Sequence, residues 1–201
     1  NILAVAHLDS VQSSGFCHLV PHPEGSRVYA PKLDDRLGVY TALHMLPRLG
    51  VNCDVLLTTD EESGKSTGEI YSPKTKKYNW MFMFDRMGAD VVYYQYGDSQ
   101  LRENLKRFGF ETGCGSSSCI CKMEHLGIKG FNVGCGYQDY HSPWAYVDLN
   151  IYFNQVKKIV LLSPVVIIKM RLALKSFFIE RFLLKEFSII KGPLCIAIFS
   201  S

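Results

Sequence analysis

Three consecutive acids, Asp60, Glu61 and Glu62, follow the apolar run Val55-Leu56-Leu57 and are closed by Gly64. A short apolar run bounded by turn residues reads as a buried strand, so these carboxylates stand at a strand's carboxyl end, where open α/β sheets form their ligand crevice. The same arrangement recurs along the chain. His7 and Asp9 follow the apolar stretch Asn1–Ala6, and Asp85 ends the run 79–84. His141 lies in the loop after Gly130–Gly136, and Asp34 and Asp35 stand where a helix is about to begin. Imidazole and carboxylate are ligands that zinc and similar first-row ions accept, and two histidines with three carboxylates suit two ions sharing one bridging carboxylate. Taken singly, each residue has a plainer use. An acidic turn is commonly solvated, aspartates before a helix commonly cap it, and an aspartate after a strand commonly opens a turn. The recurrence at five separate segments argues for a site.

The elements that must hold these groups follow from periodicity. Asn1–Ala6 is apolar almost throughout, as in a strand buried on both faces of a parallel sheet. From Ser10 to Lys32, Ser, Gly and Pro predict a long loop or loose hairpin. Leu37, Tyr40, Leu43, Leu46 and Leu49 recur at helical spacing, which predicts a helix starting just after the two aspartates and ended by Gly50. A second helix is expected over Ser99–Phe108 and a last one over Val147–Leu162, stopped by Pro164. His18, His22, His44 and His125 lack partner motifs and read as structural or exposed; Asp35 and Arg36 read as local pairing groups.

The chain has 201 residues, 47% apolar and 20% charged, which suits one globular domain. A net charge of +3, scattered along the chain, gives no footprint for nucleic acid. Seven cysteines without regular spacing point to a reducing compartment, hence the cytoplasm. Cys114, Cys119, Cys121 and Cys135 lack paired Cys-x-x-Cys knuckles and are read as packed or exposed thiols rather than a structural zinc site. The chain opens on Asn1 inside a strand, as a piece of a longer protein would. Residues 163–201 turn apolar and basic; without an uncharged run of about 20 residues they are not expected to span a membrane.

In order, His7-Leu8-Asp9, Leu33-Asp34-Asp35-Arg36-Leu37-Gly38, Asp60-Glu61-Glu62-Ser63-Gly64, Asp85 and Tyr140-His141-Ser142 resemble the five metal-site motifs of the co-catalytic di-zinc aminopeptidase and carboxypeptidase superfamily. The resemblance covers residues 1–162 and implies a di-metal peptidase domain followed by an extension over 163–201. It further implies an α/β fold of phosphorylase/hydrolase-like, three-layer type, a mostly parallel central sheet flanked by helices. On that pattern His7 and Asp85 bind one ion, His141 and Glu62 the other, and Asp34 bridges them, with a peptide bond after the bridging aspartate that is often cis. Asp9 would accept the second ring N–H of His7, and Glu61 would act as general base without touching metal. The cofactors implied are two divalent ions, zinc first, with cobalt or manganese also accepted by such ligands. The activity implied is hydrolysis of a small peptide or an acylated amino acid. Aminopeptidase, carboxypeptidase or deacylase chemistry, and a non-catalytic binding module on the same fold, all stay open, as does the oligomeric state. The spacing between motifs excludes an inserted lid domain. Ser118-Cys119 stands where many relatives carry Ser-Asp, and Trp144-Ala145 where relatives often carry an acid.

Overall fold

A computed structural model of the chain describes residues 1–11, 17–22 and 25–163. The extension expected over 163–201 lies almost wholly outside the described residues. Among the described residues eight strands form one sheet: β1 (Ile2–His7), β2 (His18–His22), β3 (Gly25–Tyr29), β4 (Asp54–Thr58), β5 (Trp80–Met87), β6 (Val91–Val92), β7 (Lys129–Gln138) and β8 (Tyr146–Asp148). The order is β2-β3-β8-β7-β5-β1-β4, with β6 paired to β7 outside this path.

The centre, β4-β1-β5-β7, is parallel, and the wing β7-β8-β3-β2 is antiparallel. The central sheet is thus parallel as expected, and an antiparallel wing extends it on one side. The loose hairpin expected over 10–32 is real; its strands β2 and β3 pair antiparallel from His18–Tyr29 to His22–Gly25 and join the sheet through β8.

Strand alternation splits the core in two. Ile2, Ala4, Phe82, Phe84, Phe131 and Val133 turn to one face. There they meet Tyr40, Met45 and Leu46 from the first helical stretch and Tyr152, Val156 and Ile159 from the last. Leu3, Val5, Met81 and Met83 turn to the other, where Cys119, Ile120 and Met123 cover them. That second outer layer is built from short 3-10 turns (Cys119–Lys122, Glu124–Leu126) rather than long helices.

The first helical stretch begins, as expected, right after the paired aspartates: α1 (Arg36–Tyr40) runs into a π-helical segment (Thr41–Met45) and a final turn (Leu46–Arg48). Pro47 explains the widening, since its ring and missing N–H cannot serve the carbonyl four residues back. The next helix, α2 (Ser99–Arg107), matches the expected range. The last, α3 (Leu149–Leu162), starts two residues later than its apolar spacing suggests. Tyr146–Asp148 belongs to β8 instead, and Asp148 caps α3 by accepting from the N–H groups of Asn150 and Ile151. Among the described residues no helix is long and apolar enough to cross a membrane.

Candidate metal centre

The parallel strands deliver their carboxyl ends to one rim. His7 ends β1 with no solvent exposure, and its neighbour Leu8 donates its N–H to the Thr58 carbonyl at the end of β4. Beyond β4 the acidic turn folds back, so that the Glu62 N–H donates to Asp9 Oδ2 at 3.0 Å and the Val11 N–H to Glu62 Oε1 at 3.0 Å. Asp85 was expected just past its strand, but β5 continues to Met87. The pairing with β7 shifts register between Met83 and Arg86, and this bulge re-aims the backbone at Asp85. Asn132 clamps that point with both ends of its amide, donating to the Asp85 carbonyl at 3.0 Å and accepting the Asp85 N–H at 3.1 Å.

His141 comes from the loop between β7 and β8. The Ser142 hydroxyl donates to the Asp139 carbonyl and accepts from the Trp144 N–H, which pins the loop. Asp139 and His141 take left-handed backbone conformations (φ 50° and 62°), as do Asp60 (φ 67°) beside Glu61 and Tyr94 (φ 48°) on the cleft wall. Such conformations are unfavourable for residues other than glycine, and the described ones all lie at or beside this rim.

Asp34 stands between the two histidines. Its Oδ1 lies 3.1 Å from His7 Nε2 and its Oδ2 lies 3.0 Å from His141 Nε2. Glu62 Oε2 completes the His141 side at 3.0 Å, and Asp85 Oδ1 the His7 side at 3.5 Å. Glu61 Oε2 stands 3.7 Å from His7 Nε2. The peptide bond between Asp34 and Asp35 is cis.

The partner of the second ring nitrogen of His7 differs from the expectation. Nδ1 lies 2.8 Å from the backbone carbonyl of Asp9 and 3.5 Å from its carboxylate Oδ1. A carbonyl can only accept, so Nδ1 carries the hydrogen and Nε2 faces the acids. The Asp9 carboxylate is held away by the Glu62 N–H on its other oxygen, and Oδ1 is buried without a hydrogen bond.

Asp35 is fully buried and accepts the N–H groups of His7 at 3.2 Å and Gly38 at 3.0 Å, so it caps α1 and ties the helix to β1. Its atoms fall within 4.8 Å of His7 and Asp85, yet its oxygens are spent on backbone donors. This is the local pairing role expected for it. Gly38 is required there, because a Cβ would stand 2.1 Å from Asp35 Oδ1.

The electrostatics reflect an excess of buried acid. Burial alone would lower the proton affinity of His7, but hydrogen bonds to Asp34 and Asp85 and the charges of Asp85 and Asp35 raise it well above the ordinary imidazole range. Burial likewise works to raise Asp34, and here the His7 and Asp85 hydrogen bonds and both imidazoles hold it low. Asp85 is pushed far up by burial and by the charges of Asp35 and Asp34. Glu61 and Glu62 are raised by burial first and by Asp34 among their neighbours.

The donor set fits divalent ions. Two ligands each about 2.1 Å from a tetrahedral ion stand roughly 3.4 Å apart, which the separations of 3.0–3.5 Å around His7 and His141 approach. Among the described residues His7, Asp34 and Glu62 also form a group with ligand atoms all within 4.8 Å of one another. The cleft over these residues has a volume of about 340 Å³ and is further lined by Arg86, Tyr94, Ser116, Ser117, Asn132 and Tyr140.

His18, His44 and His125 stay apart from this rim. His18 is exposed and stacks on Tyr29, His44 is exposed beside Tyr40, and His125 is exposed and bonds the Tyr71 carbonyl. The side chain of His22 lies outside the described residues. The thiols also disperse: Cys119 is buried against Thr58, Cys135 is buried against the Arg86 carbonyl, and Cys114 is exposed. Sequence reasoning missed Asn132 and the Arg86–Asp90 pair. A lone asparagine inside the buried run Phe131-Asn132-Val133 was the available signal, since a buried amide must find partners.

No protein-family model matches the chain, and no curated protein matches it in sequence. Solved structures do match in fold. Aminopeptidase PepT from Bacillus cereus superposes with a TM-score of 0.59 at 10% identity, over 81% of this chain and 79% of that one. A tripeptidase from Staphylococcus aureus gives 0.59 at 9% identity, over 82% and 80%. An aminopeptidase from the archaeon Desulfurococcus kamchatkensis gives 0.55 at 16% identity, over 74% of this chain and 52% of that one. The resemblance read from the motifs thus holds at the level of fold: the chain has the α/β fold of these peptidases.

Proposed function

We propose that residues 1–162 form a metal-dependent exopeptidase of aminopeptidase type. The observation that carries this reading is Asp34, whose two carboxylate oxygens each face a different imidazole at 3.1 and 3.0 Å. One ion would be held by His7, Asp85 and Asp34, the other by His141, Glu62 and Asp34, with zinc the first candidate. Such ions, when bound, polarise a substrate carbonyl and make water acidic enough to attack near neutral pH.

The chain's own residues supply the rest. Asp34, Glu62 and Asp85 present charge from fixed positions, because the cap by Asp35, the Asp9–Glu62 bond and the Asn132 clamp hold the backbone behind them. Glu61 takes the proton of the attacking water at its carboxylate and returns it to the leaving amine. Half-burial beside Asp34 and Glu62 raises its proton affinity, which suits a base working near neutrality. The names of the fold relatives, aminopeptidase and tripeptidase, support a peptide substrate over an acylated amino acid. Amide hydrolysis by the metal-loaded chain before and after Glu61→Gln tests the reading. A loss of about 10²- to 10⁴-fold in kcat with metal content unchanged is expected. Equal turnover in that variant contradicts the role given to Glu61.

A further inference from the structure

The cleft is lined by the acids Asp34, Glu61, Glu62 and Asp85, yet its lining also includes a cationic residue, Arg86. Adjacent strand residues ordinarily point to opposite faces; the bulge in β5 breaks that alternation, and both Asp85 and Arg86 border the cleft. Asp90 grips one side of the Arg86 fork, accepting Nε–H at 2.7 Å and Nη2–H at 2.8 Å. Bidentate pairing fixes the plane of the guanidinium. The remaining edge is uncommitted: Nη1 makes no hydrogen bond among the described residues.

The loop around this edge is shaped to leave it clear. A Cβ at Gly113 would stand 1.5 Å from Asp90 Oδ2 and 2.9 Å from Arg86 Nη2, and one at Gly115 would stand 3.1 Å from Nη1. Glycine at both positions lets the loop close over the ion pair. Gly115, next to Nη1, is itself part of the cleft lining, and Ser116 and Ser117, which follow it in the chain, line the same cleft.

We propose that Arg86 determines specificity: its Nη1 edge, with Ser116 and Ser117, binds a carboxylate of the substrate. The carboxylate belongs either to an acidic side chain or to the free carboxyl terminus of a short peptide. Asp90 balances the charge of Arg86, so selectivity rests on directed N–H groups more than on net attraction. This inference deepens the hydrolase reading and rests on it for the word substrate, but the binding site can be tested without turnover.

The test uses the metal-loaded full chain and isosteric pairs. Binding is measured by calorimetry for glutamate against glutamine and for N-acetylalanine against its amide; kcat and KM are measured for glutamyl against glutaminyl anilides. In at least one binding pair the acid should be favoured about ten- to a hundredfold, the range of one or two charge-assisted hydrogen bonds. Which pair responds tells side-chain from terminal recognition. Arg86→Gln should erase that ratio, through KM rather than kcat where turnover is measured, and Arg86→Lys should keep part of it. Gly115→Ala, which crowds Nη1 but leaves the Asp90 pair, should also lower it, and this holds even if Arg86→Gln fails to fold. No preference for either acid in the wild-type chain, or a preference that survives Arg86→Gln and Gly115→Ala, overturns the proposal. A preference lost in these variants of a chain that hydrolyses nothing upholds the carboxylate site and removes the hydrolase reading instead.

Discussion

The two ends of the parallel strands handle charge in opposite ways. At the amino ends, Asp54 of β4 meets Lys76 at 2.7 Å and Lys129 of β7 meets Asp98 at 2.6 Å, one cation to one anion, in partly exposed pairs. At the carboxyl ends, Asp34, Glu61, Glu62 and Asp85 crowd two imidazoles, and His7 is wholly buried among them. Balanced surface pairs contribute little, whereas unbalanced buried charge is costly to the fold. One sheet thus carries an indifferent rim and an expensive one, and the expensive rim is the one that calls for cations.

The sharpest way to break this contrast is to remove the shared carboxylate. Asp34→Ala should abolish amide hydrolysis, because both halves of the centre lose a ligand together; residual turnover close to wild type would mean that the two halves do not share Asp34.

The contrast also sets a pH response. In the metal-free chain His7 is raised above its ordinary 6.5, Asp35 and Asp85 above 3.8, and Glu61 and Glu62 above 4.5. Each binds its proton more tightly folded than unfolded. The stability each supplies is complete below its ordinary value and is lost as pH rises through the folded one. Asp34, held low, runs the other way, contributing above 3.8 and losing its contribution as pH falls through its folded value. The raised groups outnumber it, so the melting temperature of the metal-free chain should fall between about pH 4 and pH 8. Loading metal should reverse the trend, since the ions bind deprotonated ligands. Melting curves of the metal-free chain that rise with pH across this range would refute the surplus of acid.

A smaller effect is expected from Asn132→Ala, which leaves the buried Asp85 backbone unpaired and should cost about 1–3 kcal/mol by denaturant unfolding. A neutral result there would show that the bulge holds itself. At the opposite rim, Lys76→Ala should leave stability within about 0.5 kcal/mol of wild type. A large loss from that exposed pair would erase the distinction between the two ends.

Much of this rim was legible because its residues are of distinctive types and several of them sit where an apolar run stops. His7 after Asn1–Ala6 and Glu61-Glu62 after Val55–Leu57 needed no knowledge of their neighbours. Asp85 was found for the same reason, although its strand runs on, because a bulge depends on the register of β7 and leaves no mark in β5 itself. The strand β8 was hidden by its brevity: Val147 falls in phase with the apolar face of the following helix. The hydrogen bond from His7 Nδ1 to the Asp9 carbonyl was hidden too, since an Asp two residues after a His suggests its carboxylate and not its backbone. The Arg86–Asp90 pair lies four residues apart across a bend, a spacing that reads as ordinary surface charge until the fold turns it toward the cleft.

The most direct test of the account is the number of divalent ions bound per chain, measured by elemental analysis after zinc loading and desalting. The account predicts two for the wild-type chain, a single ion after His141→Ala, and neither held tightly after Asp34→Ala. A wild-type chain that retains no ion, or an Asp34→Ala chain that still retains both, would contradict it.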